Sequence, residues 1–264
     1  MSGELNENDP LGPGTYFART RRPVVCLAFL APLLVLYEVG AVWLVAAGGE
    51  DVAAGGADGL LRGLLGPLGG GAAVALPAVV AAVLLGWNFY GRYRWEVDAE
   101  TLAGMLGESL LFAAGLVLAA AGLTYCSPGG LTTAEVRPPA AVAPAAVRAV
   151  GALGAGVYEE FLFRLALLPP AYGWFRLWRC GPRGAAALAV VATSLLFALA
   201  HHLGPELFNG DLSGAGGEAP RWGPFLFRAA AGAMLAVLFW FRGFGVAAGT
   251  HAAFNLFAGV LLAE

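Results

Sequence analysis

The feature that most limits how this chain can fold is a series of apolar stretches too long for a water-soluble helix. A helix on a soluble protein keeps one polar face. About 20 consecutive apolar residues cross the hydrocarbon of a bilayer. The first such stretch runs from Val24 to Ala47, the second from Ala72 to about Tyr90, and the third from about Leu102 to Tyr125. The fourth begins near Ala145 and reaches at least Leu168, where Pro169 and Pro170 are expected to break or kink it. The fifth runs from Gly184 to about Leu203, the sixth over Trp222–Phe241 and the seventh over Gly245–Leu262. Composition agrees. Only 12% of the 264 residues are charged, against about 25% in soluble domains, and the mean hydropathy is +0.72. The expected fold is therefore all-α, a polytopic transmembrane helical bundle of about seven spans.

Three regions are expected. Residues 1–22 form a polar tail ending in Arg19, Arg21 and Arg22. The first stretch is too long for a signal-peptide core and lacks a small-residue cleavage pattern, so it is read as a span. Residues 23–139 hold the N-terminal spans. They include a Gly-rich piece over residues 48–71 whose apolar part, Leu60–Leu68, is too short to cross and is read as interfacial or re-entrant. Residues 140–264 hold the remaining spans. With the N-terminus inside, nine arginines flank cytoplasmic ends (19, 21, 22, 92, 94, 176, 179, 183, 242) and five the other side (62, 137, 148, 221, 228). The positive-inside rule thus predicts a cytoplasmic N-terminus. The net charge of −3 gives no basis for a nucleic-acid partner. Cys26, Cys126 and Cys180 are far apart without metal-ligand spacing and are read as packing residues. Small residues such as Gly151 and Ala155 are read as sites of close helix packing.

Ionisable groups at hydrocarbon depth are costly and mark functional candidates. Glu38, Glu108, Glu159, Glu160, Arg164 and His251 fall there, with His201 and His202 near a span end. Glu160 and Arg164 stand four apart on one helix face and can pair. Glu159 is rotated about 100° from Glu160 and can point elsewhere. Phe197 and His201 share a face, as do His251 and Asn255. Two side-chain donors on one face can stabilise an oxyanion. An interhelical polar bridge accounts for one such pair but not for polar side chains on three separate spans. His202 is read as an interface residue and Ser194 as packing; Glu38 and Glu108 could each line a cavity or bridge helices, with bridging favoured. Counted from the basic boundaries, His201 stands several residues deeper than His251, whereas one site needs them level.

Glu159-Glu160…Arg164, Phe197…His201 and His251…Asn255, in that order on three hydrophobic segments, resemble the CPBP family of CAAX proteases and bacteriocin-processing (Abi) enzymes. The similarity covers roughly residues 140–262. It implies an intramembrane, metal-independent glutamic endopeptidase similar to type II CAAX prenyl endopeptidases. In that reading Glu159 and His201 activate a water, and His251 and Asn255 form the oxyanion hole. Glu160, Arg164 and Phe197 support them. No cofactor or metal is implied. The implied partners are a peptide or lipidated protein substrate and membrane lipids, in a bacterial or archaeal cell membrane. Two alternatives remain open. One is a zinc site of Glu159 or Glu160 with His201 and His251, which lacks an HExxH helix. The other is a non-catalytic membrane scaffold or immunity protein of the same fold. A transporter would require inverted repeats, and none is evident.

Overall fold

The computed structural model describes residues 14–48, 56–65, 72–126, 144–203 and 221–261, and the described residues hold helices and no strand. α1 is one turn, Tyr16–Arg19, and α2 runs Pro23–Ala46. The short α3 covers Gly56–Leu64, α4 Ala72–Tyr90 and α5 Ala99–Cys126. α6 spans Ala145–Glu160 and passes into a π-helical segment, Phe161–Leu167, then α7, Leu168–Leu177. α8 is Pro182–Leu203, α9 Trp222–Arg242 and α10 Phe244–Leu256, which ends in a second π segment, Phe257–Leu261. The Leu60–Leu68 piece thus contributes to the nine-residue α3, while the surrounding Gly-rich residues lie outside the described ones.

A helix occupies each of the seven apolar stretches. Four of them are long and apolar enough to cross a membrane: Pro23–Ala46, Ala99–Leu123, Pro182–His202 and Trp222–Arg242. Ala75–Tyr90 and Phe244–Val260 are apolar but shorter. The fourth stretch carries Arg148, Glu159, Glu160 and Arg164, which dilute its hydropathy. Pro169 and Pro170 do not stop the chain. They take the first positions of α7, where a missing N–H costs little, and the wider π turn before them absorbs the interrupted bonding.

Burial follows the rule for a protein in lipid. On α2, Val25, Phe29, Leu30, Leu34 and Tyr37 are buried, while Val35, Leu36, Val39, Val42 and Trp43 are exposed. Large contiguous apolar faces of this kind mark contact with a membrane. α10 is the exception and forms the centre. All residues from Phe244 to Phe254 are buried, packed by α5, α6, α9 and α2. Asp98 caps α5, accepting from the Thr101 backbone N–H at 2.7 Å and its hydroxyl at 2.8 Å. Those bonds hold its carboxyl below the usual carboxylate range.

Two ionic bridges tie helices together as expected. Glu108 on α5 receives Arg242 of α9 at 2.6–2.9 Å, and the same guanidinium lies 4.2 Å from the Phe17 ring centre. Glu38 on α2 accepts from Arg62 of α3 at 2.7 and 2.9 Å and from the Tyr158 hydroxyl of α6. Arg62 also reaches Asp58 at 2.7 Å, to which Tyr37 donates. Cys26 is buried and unpaired with another cysteine; Cys180 is also free, and the Cys126 side chain lies outside the described ones.

Ala155 lines a cavity, and the close contact of α6 with α10 is not at Gly151, where an added Cβ meets open space. It is at Gly156, where a Cβ would stand 2.5 Å from the Ala252 Cβ and 2.6 Å from its Cα and N on α10. Backbone cannot yield as a side chain does. Gly156→Ala is therefore expected to cost about 3 kcal/mol, the upper range for overpacking, whereas Gly151→Ala should be neutral. Thermal unfolding of both variants in detergent checks the contrast.

Candidate active site

Tyr158, Glu159 and Glu160 end α6, and steps of about 100° send them to three different places. Tyr158 reaches the Glu38–Arg62 cluster. Glu160 is fully buried and pairs with Arg164 at 3.0 Å across the π segment. Arg164, 1% exposed, gives a further bond to the Gly232 carbonyl of α9 at 3.0 Å and lies over the Phe197 ring, 4.6 Å from its centre. Each buried charge thus has a partner, without which burial would cost several kcal/mol. Glu159 points into a cavity of about 250 Å³ between α5, α6, α8, α9 and α10.

His201 and His251 approach Glu159 from opposite helices. Nε2 of His201 is 3.9 Å, and Nε2 of His251 3.8 Å, from the same oxygen, Glu159 Oε2. That oxygen is buried and accepts no hydrogen bond. The other nitrogen of each ring is occupied. His201 Nδ1 lies 2.9 Å from the Phe197 carbonyl, an acceptor only, so that nitrogen carries the proton. His251 Nδ1 lies 2.9 Å from Glu160 Oε1, and the carboxylate draws a proton there in the same way. The tautomers follow from these partners, and both Nε2 atoms are left facing Glu159. The two histidines therefore stand level at one carboxylate, despite their different counts from the basic boundaries.

Phe197 is the packing hub. Its ring meets His201 at 4.9 Å, His251 at 5.8 Å and Phe163 at 5.3 Å between centres, each edge-on. Asn255, one turn beyond His251, lines the same cavity, whose walls are otherwise mainly apolar: Leu116, Phe227, Leu235 and Phe254. Ser194 gives its hydroxyl to the Val190 carbonyl at 2.6 Å, a packing arrangement. His202 faces Phe225 of α9 and is not among the cavity-lining residues.

All seven residues singled out in the sequence thus gather at one place. One further ionisable group lines the cavity with them, Arg228 of α9, which is 9% exposed. The sequence reading counted Arg228 among the charges flanking a span end. Its place six residues inside the sixth span was the available signal, because an arginine at that depth is a functional candidate.

Among the described residues, no group of three His, Cys, Asp or Glu side chains is arranged to hold a metal ion. Two ligands on a tetrahedral zinc with bonds of 2.0–2.2 Å stand about 3.4 Å apart, closer than either imidazole is to Glu159. A separation near 3.9 Å is one that a single bridging water spans.

Residues 141–257 match the family model described as "Type II CAAX prenyl endopeptidase Rce1-like". No curated protein and no solved structure matches the chain. The match takes in Glu159, Glu160, Arg164, Phe197, His201, His251 and Asn255 as well as Arg228. The chain is therefore an integral membrane protein whose residues 141–257 are similar to the Rce1-like type II CAAX prenyl endopeptidases, a family of proteases.

Proposed function

We infer that this protein hydrolyses a peptide bond of a prenylated, CAAX-type substrate within the membrane, by a glutamate-activated water and without a metal. The observation that carries this reading is the buried Glu159 Oε2. It has no hydrogen bond and lies 3.8–3.9 Å from two imidazole nitrogens that both face it. Residues 140–264 are the catalytic core in this reading, residues 23–139 brace it, and the N-terminal tail of residues 1–22 faces the cytoplasm.

A water bound between Glu159 and His201 Nε2 gives one proton to the Glu159 carboxylate as its oxygen attacks the scissile carbonyl carbon. The carbonyl π pair moves to oxygen, and the oxyanion forms on the side of the cavity where Asn255 can donate its amide N–H. His251 holds Nδ1–H against Glu160, so its Nε2 becomes a second donor only when the ring carries two protons. Collapse of the tetrahedral intermediate breaks the C–N bond, and the proton held by Glu159 passes to the departing amine nitrogen. A covalent route is disfavoured because, among the described residues, no Ser, Cys or Thr nucleophile is seen against either imidazole.

The test uses the full chain in liposomes with a farnesylated peptide, the cut being located by mass spectrometry. Cleavage after the prenylated cysteine is expected, undiminished by a chelator that strips zinc. Asn255→Ala is expected to lower kcat about 100- to 1,000-fold, the usual loss for an oxyanion donor. Loss of activity on chelation, restored by zinc, would favour the metal reading instead. Absence of any cut would place the protein among non-catalytic members of the fold.

A further inference from the structure

Four polar side chains of the cavity, Glu159, His201, His251 and Asn255, are accounted for by hydrolysis. Arg228 is not, and among the described lining residues it is the one permanent cation. It stands on one face of α9 with Ala231 and Leu235, three and seven residues on, and both line the cavity with it. The groups within 4 Å of Glu159 Oε2 that the hydrolysis uses are the two imidazoles. Arg228 is engaged elsewhere in the chain as well, but a guanidinium carries five donors and accommodates a further acceptor.

A CAAX sequence ends the polypeptide, so cleavage after its cysteine releases three residues with a free α-carboxylate. Extended, they reach about 10 Å from the scissile bond. That carboxylate would enter a largely apolar cavity, where an unpaired charge is strongly disfavoured. An arginine fork is the group suited to hold it. The volume of about 250 Å³ lies below the roughly 300–1,000 Å³ of usual ligand sites, which suits the end of a chain better than a chain passing through.

Building on the protease reading above, we propose that Arg228 binds the free C-terminal carboxylate of the substrate. It thereby confines cleavage to bonds a few residues from a chain end. It is a specificity-determining residue and takes no part in the proton transfers.

The experiment compares two farnesylated peptides, identical except that one ends in a carboxylate and the other in a carboxamide, with the reconstituted full chain. Wild type is expected to show a KM for the acid about 10- to 100-fold below that for the amide, the range of one charge-assisted contact. Arg228→Gln should raise KM for the acid to that for the amide, with kcat changed less than about threefold. Arg228→Lys should keep part of the preference, having the charge without the fork. Equal use of acid and amide by wild type would overturn the proposal and leave the protease reading standing. An equal fall in kcat for both peptides in Arg228→Gln would likewise overturn it. Should that variant fail to fold, the acid–amide comparison on wild type decides alone. Cleavage of neither peptide by wild type would remove the protease reading itself.

Discussion

Glu159→Gln is expected to lower kcat on a prenylated peptide by about 1,000-fold or more, within the upper range for loss of a general base, while the protein stays folded. The substitution keeps the shape of the side chain and removes its capacity to take a proton. Glu159 Oε2 is buried and makes no hydrogen bond, so no structural bond is lost. A buried charge held for chemistry is a cost to the fold, and residues of this kind trade stability for activity. The unfolding temperature should accordingly be unchanged or higher in Glu159→Gln. Product formation measured by mass spectrometry, alongside thermal unfolding in the same detergent, reads both effects. A variant retaining a tenth of wild-type turnover would sink the assignment of Glu159 as the base. Lost activity accompanied by a lower unfolding temperature would mean that Glu159 is structural.

The second large effect concerns the pair beneath the site. Arg164→Met is expected to destabilise the fold by about 3–5 kcal/mol, the cost of leaving a buried charge without its partner. Glu160 is fully buried and is held by Arg164 at 3.0 Å and His251 at 2.9 Å. Arg164→Lys should recover part of the loss, because an ammonium cannot span Glu160 and the Gly232 carbonyl with one planar fork. The double variant Glu160→Gln with Arg164→Met should recover most of the stability, since it removes the charge together with its partner. Its activity should still fall, because His251 loses the negative charge beside Nδ1 that favours its doubly protonated, donating form. Unfolding of wild type, Glu160→Gln, Arg164→Met and the double variant forms a double-mutant cycle. Additive losses would show that the two side chains do not act as a pair.

Much of the site was legible in the sequence because its parts are local. Glu160 and Arg164, Phe197 and His201, and His251 and Asn255 are each four residues apart, and helical spacing alone puts each pair on one face. That Glu38 and Glu108 each need a cation at that depth was readable, with a helix bridge favoured over a place in a cavity wall. Their partners, Arg62 and Arg242, were not. They come from helices 24 and 134 residues away in the chain, and nothing in a local pattern selects them. The packing glycine was misplaced for the same reason. Gly151 and Gly156 look alike as small residues of one helix, and only the position of Ala252 on α10 separates them.

Apolar length, and the expense of charge in hydrocarbon, settled from the chain alone that this is a helical membrane protein, and pointed to the C-terminal half for its chemistry. Tertiary packing decided the rest. It set the two imidazoles level at Glu159, turned Glu160 towards Arg164 and His251, and brought Arg228 into the cavity wall. A sequence fixes where a side chain points around its own helix axis, at 100° per residue. How far each helix slides and tilts against its neighbours depends on contacts between residues distant in the chain. The meeting of α6, α8 and α10 at one carboxylate is a property of those contacts.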